Sequence, residues 1–131
     1  MKALVTGGAG FIGSNISAAL LREGAEVTIL DDLSSGHAVN LEALPEAHFI
    51  KGDIRDPEAV ARAVSGCEVI FHLAASVGNK RSIDHPDEDT AINVNGTLTV
   101  LEAARAAGVR KIVATADEIS TGRIKTILIV L

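Results

Sequence analysis

Three glycines near the start of the chain have the spacing of a phosphate-binding turn. Gly7, Gly10 and Gly13 form the pattern G-x-x-G-x-x-G. They lie between an apolar run that predicts a strand, 2–6, and a stretch with apolar residues at helical spacing, 11–23. In such a turn the first glycine allows a sharp exit from the strand, the second leaves space for a pyrophosphate, and the third lets helix and strand pack closely.

The start of the predicted helix supplies groups that could hold the phosphate. The first backbone N–H groups of a helix have no partner within it, so those of Phe11 and Ile12 can bind phosphate oxygens. Asp31 ends the second predicted strand, 26–31. A carboxylate there accepts hydrogen bonds from a ribose 2′-hydroxyl and repels a 2′-phosphate, which favours NAD over NADP. The alternative is a glycine-rich turn that binds no ligand.

Further residues follow the third and fourth predicted strands, 47–51 and 68–73, where doubly wound α/β folds bind ligands. Asp53 could accept a hydrogen bond from an adenine amine, and Ile54 could cover the ring. An aspartate that caps a turn is the alternative, and it is favoured for Asp53 taken alone. The fourth strand ends with Leu73, Ala74 and Ala75. Small residues at this point would let a cofactor lie against the backbone, and ordinary close packing is the alternative.

Strands that alternate with helices predict an α/β fold. Helices are expected over 11–23, 57–64 and 87–107, with a helical turn over 41–45, a polar loop over 76–85 and a fifth strand over 109–115. Alternation of this kind gives a Rossmann-like, doubly wound parallel sheet with helices on both faces. We expect one NAD-binding domain over residues 1–131, of which 114–131 form a divergent tail.

Composition excludes several classes of protein. The 131 residues are 47% apolar, and 12 basic against 17 acidic residues give a net charge of −5, which argues against a nucleic-acid or anionic-membrane partner. No apolar run is long enough to span a bilayer. The simplest expectation is a cytoplasmic protein. The single cysteine, Cys67, permits no intrachain disulfide, and we expect it to be a partly buried thiol.

No metal site is predicted. The four histidines lack the spacing of metal ligands, and His72, at a strand end, is expected to be a packed residue. Asp117 and Glu118 are interpreted as turn residues. A mixed charged stretch is expected to form a solvated loop and helix start; its members are Lys80, Arg81, Asp84, Asp87, Glu88 and Asp89.

Five ordered motifs carry a family resemblance: TGGAGFIG (6–13), DDLSSG (31–36), GDIRD (52–56), FHLAA (71–75) and NVNGT (93–97). Together they resemble the N-terminal half of the extended short-chain dehydrogenases/reductases, near the UDP-glucose 4-epimerases and related nucleotide-sugar epimerases and dehydratases. The resemblance implies NAD, with its pyrophosphate at Phe11 and Ile12 and its ribose at Asp31. It also implies contacts along the adenosine end from Asp32, Leu33, Ser34, Ser35 and Gly36, around adenine from Asp53 and Ile54, and beneath the phosphates and nicotinamide ribose from Leu73, Ala74, Ala75, Ser76 and Val77.

The sequence departs from this family where its chemistry is expected. Its members move a hydride to and from NAD with a Tyr-x-x-x-Lys pair and an assisting serine, but this chain has no tyrosine. Asp117 stands where the serine is expected, Ile92 replaces a frequent cofactor-contacting asparagine, and Asn93 is expected to be structural. We therefore predict no catalytic residue and an NAD-binding module. The alternatives are a folded scaffold without cofactor affinity and an epimerase fragment that is active only when complemented.

The end of the chain predicts a further, unusual strand over 124–131. The connection from the fifth strand is too short for a parallel return, so this strand should fold back antiparallel or pair with another chain. Our hypothesis is a shortened or laboratory-derived chain whose tail caps the sheet, and a natural truncated paralogue is the alternative. An apolar stripe on the helix over 87–107, expected to be uncovered, predicts a homodimer through this helix or through the tail. Its members include Ile92, Leu98 and Leu101.

Overall fold

Short strands and helices alternate along the chain. A computed structural model describes the backbone of residues 1–118 and 123–130 and the side chains of residues 1–78 and 80–114. The strands are β1 (Lys2–Thr6), β2 (Glu26–Asp31), β3 (His48–Lys51), β4 (Val69–His72), β5 (Lys111–Glu118) and β6 (Arg123–Val130). The helices are α1 (Phe11–Arg22), α2 (Val39–Glu42), α3 (Pro57–Val64), α4 (Asn79–Asp84), α5 (Pro86–Thr90) and α6 (Thr97–Ala106), and a π-helical segment, Ala91–Gly96, joins the last two.

The strands form one sheet in the order β3-β2-β1-β4-β5-β6. The pairs among β1 to β5 are all parallel. At the centre, Leu4 of β1 lies between Thr28 of β2 and Ile70 of β4, and its side chain is fully buried. The predicted Rossmann-like parallel sheet is confirmed.

Both faces of the sheet carry a buried apolar layer. Leu4 and Val5 are neighbours in β1, so their side chains point to opposite faces. Leu4 joins a cluster that includes Val60 of α3 and Val100 of α6. Val5 joins a second cluster, with Ile29 of β2, against which the apolar residues of α1 pack. Because successive side chains of a strand point to opposite faces, the consecutive apolar residues of these strands make both faces of the sheet apolar, and helices cover both.

The predicted antiparallel tail strand is present. Lys111 pairs with Val130 and Glu118 with Arg123, so β5 and β6 form a continuous antiparallel ladder. Leu131, which the prediction included, and residues 119–122 lie outside the described part of the chain. The interpretation of Asp117 and Glu118 as turn residues is wrong. Both belong to β5, because β6 extends the ladder past the predicted end of that strand.

The predicted long helix over 87–107 is interrupted. It begins at Pro86, widens to π-helical geometry over Ala91–Gly96 and returns to α-helix in α6. Gly96 lies so close to Ile54 that a Cβ atom there would come within 2.5 Å of the isoleucine Cδ1. The expected uncovered stripe is only partly present, because Ile92 and Leu101 pack against the core while Leu98 is 51% exposed.

Two smaller expectations change as well. The polar loop predicted over 76–85 contains the short helix α4, and the helical turn predicted over 41–45 lies slightly earlier, at α2. Within the described residues, no helix combines the length and the apolar character needed to cross a membrane.

Candidate functional site

A groove of about 350 Å³ lies beyond the carboxyl ends of β1 to β4. With the exception of Leu33, all the residues predicted to bind a cofactor line it, namely Gly7, Gly10, Phe11, Ile12, Gly13, Asp31, Asp32, Ser34, Ser35, Gly36, Asp53, Ile54, Leu73, Ala74, Ala75, Ser76 and Val77. Leu33 takes a left-handed backbone conformation, with φ of 62°. The sequence argument did not include four further lining residues, Leu30, Gly52, Arg81 and Ile92.

Two of the three glycines of the first turn are required by close contacts. Gly7 has a positive φ of 72°, and a Cβ atom there would lie 2.8 Å from the backbone nitrogen of Ala74. At Gly13 a Cβ atom would overlap the carbonyl oxygen of Gly7. At Gly10 the same oxygen would be 3.3 Å away, so a Cβ atom would need a shift of only a few tenths of an ångström, and Gly10 itself lines the groove.

The amino end of α1 opens into the groove. Gly10 caps the helix without any side-chain hydrogen bond, and Ser14 donates the first helical hydrogen bond, 3.0 Å to the Gly10 carbonyl. The preceding N–H groups of Phe11 and Ile12 therefore have no carbonyl within the helix to bind. Their side chains are 83% and 44% exposed. A helix end of this kind attracts anions through its N–H groups and its dipole.

Asp31 braces the glycine turn as well as lining the groove. One carboxylate oxygen accepts a 2.9 Å hydrogen bond from the N–H of Ala9, and the other accepts a 2.8 Å bond from the N–H of Leu33. The residue is 8% exposed. Each oxygen retains a lone pair, so the carboxylate can still accept a hydrogen bond from a ligand hydroxyl. The sequence argument predicted a ligand-facing role for Asp31 and missed the structural one.

The loop after β2 is fastened to the same turn. The carbonyl oxygen of Ala9 accepts hydrogen bonds from the His37 N–H at 3.0 Å and from the Asn40 side chain at 2.7 Å. A Cβ atom at Gly36 would lie 2.8 Å from that of Ala9. Asn40 was not predicted, because a single asparagine in a polar loop carries no distinguishing pattern.

Asp53 is engaged by a neighbouring arginine. The Arg55 guanidinium donates to its carboxylate at 2.6 Å, and the Arg55 N–H donates to it at 2.8 Å. The side-chain hydrogen bond from Arg55 lowers the pKa of Asp53. The turn-capping alternative therefore describes Asp53, although the residue also lines the groove. Ile54 is 5% exposed and belongs to the core, so it is a fixed part of the groove floor.

His72 is buried, and the donor and the acceptor of each of its ring hydrogen bonds can be assigned. The Thr97 hydroxyl donates to the Asn93 carbonyl at 2.7 Å, so at 3.1 Å it accepts from the Nε2–H of His72. The histidine Nδ1 is then unprotonated and accepts from the Thr6 hydroxyl at 2.8 Å. Burial lowers the pKa of His72 to about 4, which agrees with this neutral form. The expectation of a packed histidine is confirmed.

The same network holds the groove wall that follows β4. The Thr6 oxygen accepts hydrogen bonds from the N–H groups of Leu73 and Ala74, both at 3.2 Å. The Asn93 side chain accepts from the Ser76 N–H at 2.8 Å and donates to the Ser76 carbonyl at 3.0 Å. Asn93 is thus a structural residue, as expected. The π-helical segment presents it to the strand end.

Ser76 carries an unusual hydroxyl. The Asn93 side chain bonds both the N–H and the carbonyl oxygen of Ser76, and the residue is only 8% exposed. Its Oγ atom nevertheless has no hydrogen-bond partner. A buried hydroxyl without a partner costs about 1–3 kcal/mol. Since Ser76 lines the groove, a ligand there could supply the missing partner.

Other candidate chemistries find no support in the described residues. Among them, no group of three or more His, Cys, Asp or Glu side chains could hold a metal ion. Cys67 is buried, with its thiol 3.4 Å from the Ala63 carbonyl oxygen, and burial raises its pKa. A raised pKa disfavours the reactive thiolate.

Residues 3–120 match the model of the NAD dependent epimerase/dehydratase family. The chain belongs to this family. A UDP-glucose 4-epimerase from Mycolicibacterium smegmatis is 50% identical over 121 residues, covering 89% of this chain and 39% of that protein. A CDP-paratose 2-epimerase from Salmonella typhi is 41% identical over 111 residues, covering 80% and 33% respectively.

Solved structures of family members have the same fold. An epimerase from Methanothermobacter thermautotrophicus superimposes with a TM-score of 0.85 at 42% identity, covering 89% of this chain and 35% of that one. A UDP-glucose 4-epimerase from Thermus thermophilus, in complex with NAD, gives 0.79 at 42% identity, with coverage of 86% and 36%. The chain thus spans between a third and two-fifths of the length of the relatives described.

Proposed function

We propose that this chain binds NAD in the groove beyond the carboxyl ends of β1 to β4. The observation that carries the proposal is the open amino end of α1, with free N–H groups at Phe11 and Ile12, in the same groove as the Asp31 carboxylate. Two further features fit the dinucleotide. Gly10 places no side chain over the helix end, and the unpartnered Ser76 hydroxyl supplies a hydrogen-bonding group in the wall.

The groups of NAD are assigned by their chemistry. The pyrophosphate lies at the N–H groups of Phe11 and Ile12, because a helix amino end favours negative charge. The adenosine ribose lies at Asp31, whose remaining lone pairs accept hydroxyl hydrogens. Adenine lies against Ile54, and the nicotinamide ribose lies along the wall formed by Leu73–Val77.

The chain is proposed to hold the cofactor without turning over a sugar nucleotide by itself. Bound NAD would supply a hydride acceptor. The resemblance assigns proton transfer to a tyrosine, and this chain contains no tyrosine. Its own residues would bind and orient the dinucleotide and exclude water from it.

Calorimetric titration of the purified chain with NAD tests the proposal, with NADP as the control. The chain has neither tryptophan nor tyrosine, so calorimetry is preferable to intrinsic fluorescence. We expect saturable binding of NAD and weaker binding of NADP, because the Asp31 carboxylate repels a 2′-phosphate. A folded chain that binds neither dinucleotide would contradict the proposal.

A second candidate function is that of a complementing fragment. It is favoured by the coverage, since the chain corresponds to about a third of each relative described. Mixing it with a fragment that carries the remainder of a related epimerase, and assaying epimerisation of UDP-glucose, tests this function. Inactivity of a mixture in which both fragments are folded and associated would exclude it.

We also propose that the chain forms a homodimer. Val94 and Leu98 are one helical turn apart, and each is 51% exposed. Covering them in a second copy would remove apolar surface from water. Light scattering over a range of concentrations tests this, with Leu98→Gln as the weakened variant. A monomer at all concentrations would argue against it.

A further inference from the structure

Arg81 lies in the wall of the groove, although the sequence predicts a solvated loop at that point. The residue belongs to α4, the short helix that replaces the expected loop, and its side chain is 37% exposed. Its ion-pair partner is Glu88, with a nitrogen-to-oxygen distance of 3.4 Å. This is long for a charge-assisted hydrogen bond, which is usually 2.7–2.9 Å. The guanidinium can therefore exchange this partner for a better one.

The other charged residues of the groove are acidic. They are Asp31, Asp32 and Asp53, whereas Arg81 is the one cationic residue among the described residues that line it. Asp53 is already paired with Arg55 at 2.6 Å, and the Asp31 carboxylate accepts two backbone N–H groups. The Arg81 guanidinium attracts an anionic ligand electrostatically, whereas the three carboxylates of the groove repel it.

The proposed ligand has one strongly anionic group, the pyrophosphate, which carries two negative charges. An arginine matches phosphate oxygens with two parallel N–H donors, and such bonds are stronger than those between neutral groups. The N–H groups of Phe11 and Ile12 can contact only part of the pyrophosphate. A second donor from the segment after β4 would hold it from another direction.

We propose that Arg81 binds the pyrophosphate of NAD and thereby selects ligands that carry a diphosphate. This inference rests on the proposed function, because it assigns a residue to the same groove. Arg81 gives up the long Glu88 contact and donates to phosphate oxygens. The residue is a binding determinant outside the glycine turn.

Lys80 provides a matched control. It precedes Arg81 on the same helix and carries the same charge, but its side chain is 91% exposed and pairs with Asp84 at 2.6 Å. It does not line the groove. Arg81→Met and Lys80→Met therefore remove the same charge from neighbouring positions, and each retains most of the aliphatic side chain.

The test is calorimetric titration of the full chain and both variants with NAD, ADP and adenosine. We expect Arg81→Met to weaken binding of NAD and ADP by the same factor, about tenfold, the size of one lost bond to a charged group. Adenosine binding should be unchanged, and Lys80→Met should bind all three ligands as the unaltered chain does. Arg81→Lys should recover part of the lost affinity. Circular dichroism and thermal melting confirm that each variant is folded.

Several outcomes would overturn the inference. Equal NAD affinity in Arg81→Met and Lys80→Met would show that Arg81 makes no phosphate contact. Equal losses for adenosine and ADP would indicate a contact with the nucleoside or a general change in the groove. If a parallel titration with UDP showed a loss in Arg81→Met while NAD and ADP binding were unchanged, Arg81 would instead be assigned to a sugar nucleotide. If the unaltered chain itself fails to bind NAD, the proposed function fails first, a result distinct from all of these.

Discussion

The Asp31 carboxylate lies 2.9 Å from the backbone nitrogen of Ala9 and so ties the end of β2 to the glycine turn. A second bond, from the Leu33 N–H at 2.8 Å, orients the same carboxylate. The residue expected to select the cofactor therefore also shapes the loop that would hold it. Its substitution should change both the stability of the chain and its affinity for NAD.

We expect Asp31→Ala to lower the free energy of unfolding by about 1–3 kcal/mol, because two buried N–H groups lose their acceptor. Its NAD affinity should fall in addition. Asp31→Asn should be little better, since its amide would turn a donor toward one of those N–H groups. Urea denaturation and calorimetry measure the two effects. Glu42→Ala, at an exposed carboxylate outside the groove, is the control, and equal losses at both positions would contradict the argument.

The glycines of the turn should separate folding from binding. Gly13→Ala would place a Cβ atom into the Gly7 carbonyl oxygen, so we expect destabilisation by about 1–3 kcal/mol or more. In Gly10→Ala the added Cβ atom would lie 3.3 Å from that oxygen, so a small shift accommodates it and the variant should fold. Its methyl group would enter the groove and weaken NAD binding. Thermal melting with calorimetry checks this contrast, and a strongly destabilised Gly10→Ala would count against it.

Ser76→Ala should weaken NAD binding without a loss of stability. The Ser76 hydroxyl is buried without a partner, so removing it leaves no other protein group unsatisfied. The melting temperature should stay the same or rise. If the hydroxyl bonds NAD, the affinity should fall by about 0.5–1.5 kcal/mol, the net value of one hydrogen bond. A fall in stability with unchanged affinity would show that the hydroxyl serves the fold instead.

Stability should decrease on acidification through His72. Its pKa is about 4 in the folded chain and 6.5 when exposed, so the unfolded state takes up the proton first as the pH falls. The contribution is fully present above pH 6.5 and is lost as the pH falls toward 4, by about 3 kcal/mol in total.

Urea denaturation at a series of pH values, for the unaltered chain and for His72→Gln, measures this contribution. The variant should lose that part of the pH dependence, whereas His37→Gln, at an exposed histidine, should retain it. Nitrogen-15 NMR of the histidine ring should find Nδ1 unprotonated at neutral pH. Identical pH profiles for all three proteins would rule out the assigned role.

Much of the fold could be predicted because its determinants are local. The bounds of β1, β2 and α3 follow from apolar runs, a strand-ending glycine and a proline at the first helical turn. The glycine turn could be located because the spacing of its three glycines, between an apolar run and a helical pattern, is contained in a few residues of sequence. The parallel order of the sheet follows from the alternation of strands and helices.

The remainder depends on contacts between distant parts of the chain. The sequence does not distinguish the π-helical segment from an α-helix, and it does not reveal the close approach of Gly96 in that segment to Ile54. The pairing of Asp53 with Arg55 is the exception, because the two residues are neighbours in sequence and only the conformation of the turn after β3 brings their side chains together. Arg81 enters the groove because α4 turns it there.

The antiparallel β6 also has a consequence for the order in which the sheet can assemble. β1 pairs with β4 across about half of the chain, so that contact closes a long loop before it gains any hydrogen bond. β5 and β6 are joined by a short connection, and hairpins of this kind form within microseconds. The edge of the sheet can therefore form early, as a local unit onto which the slower parallel strands add.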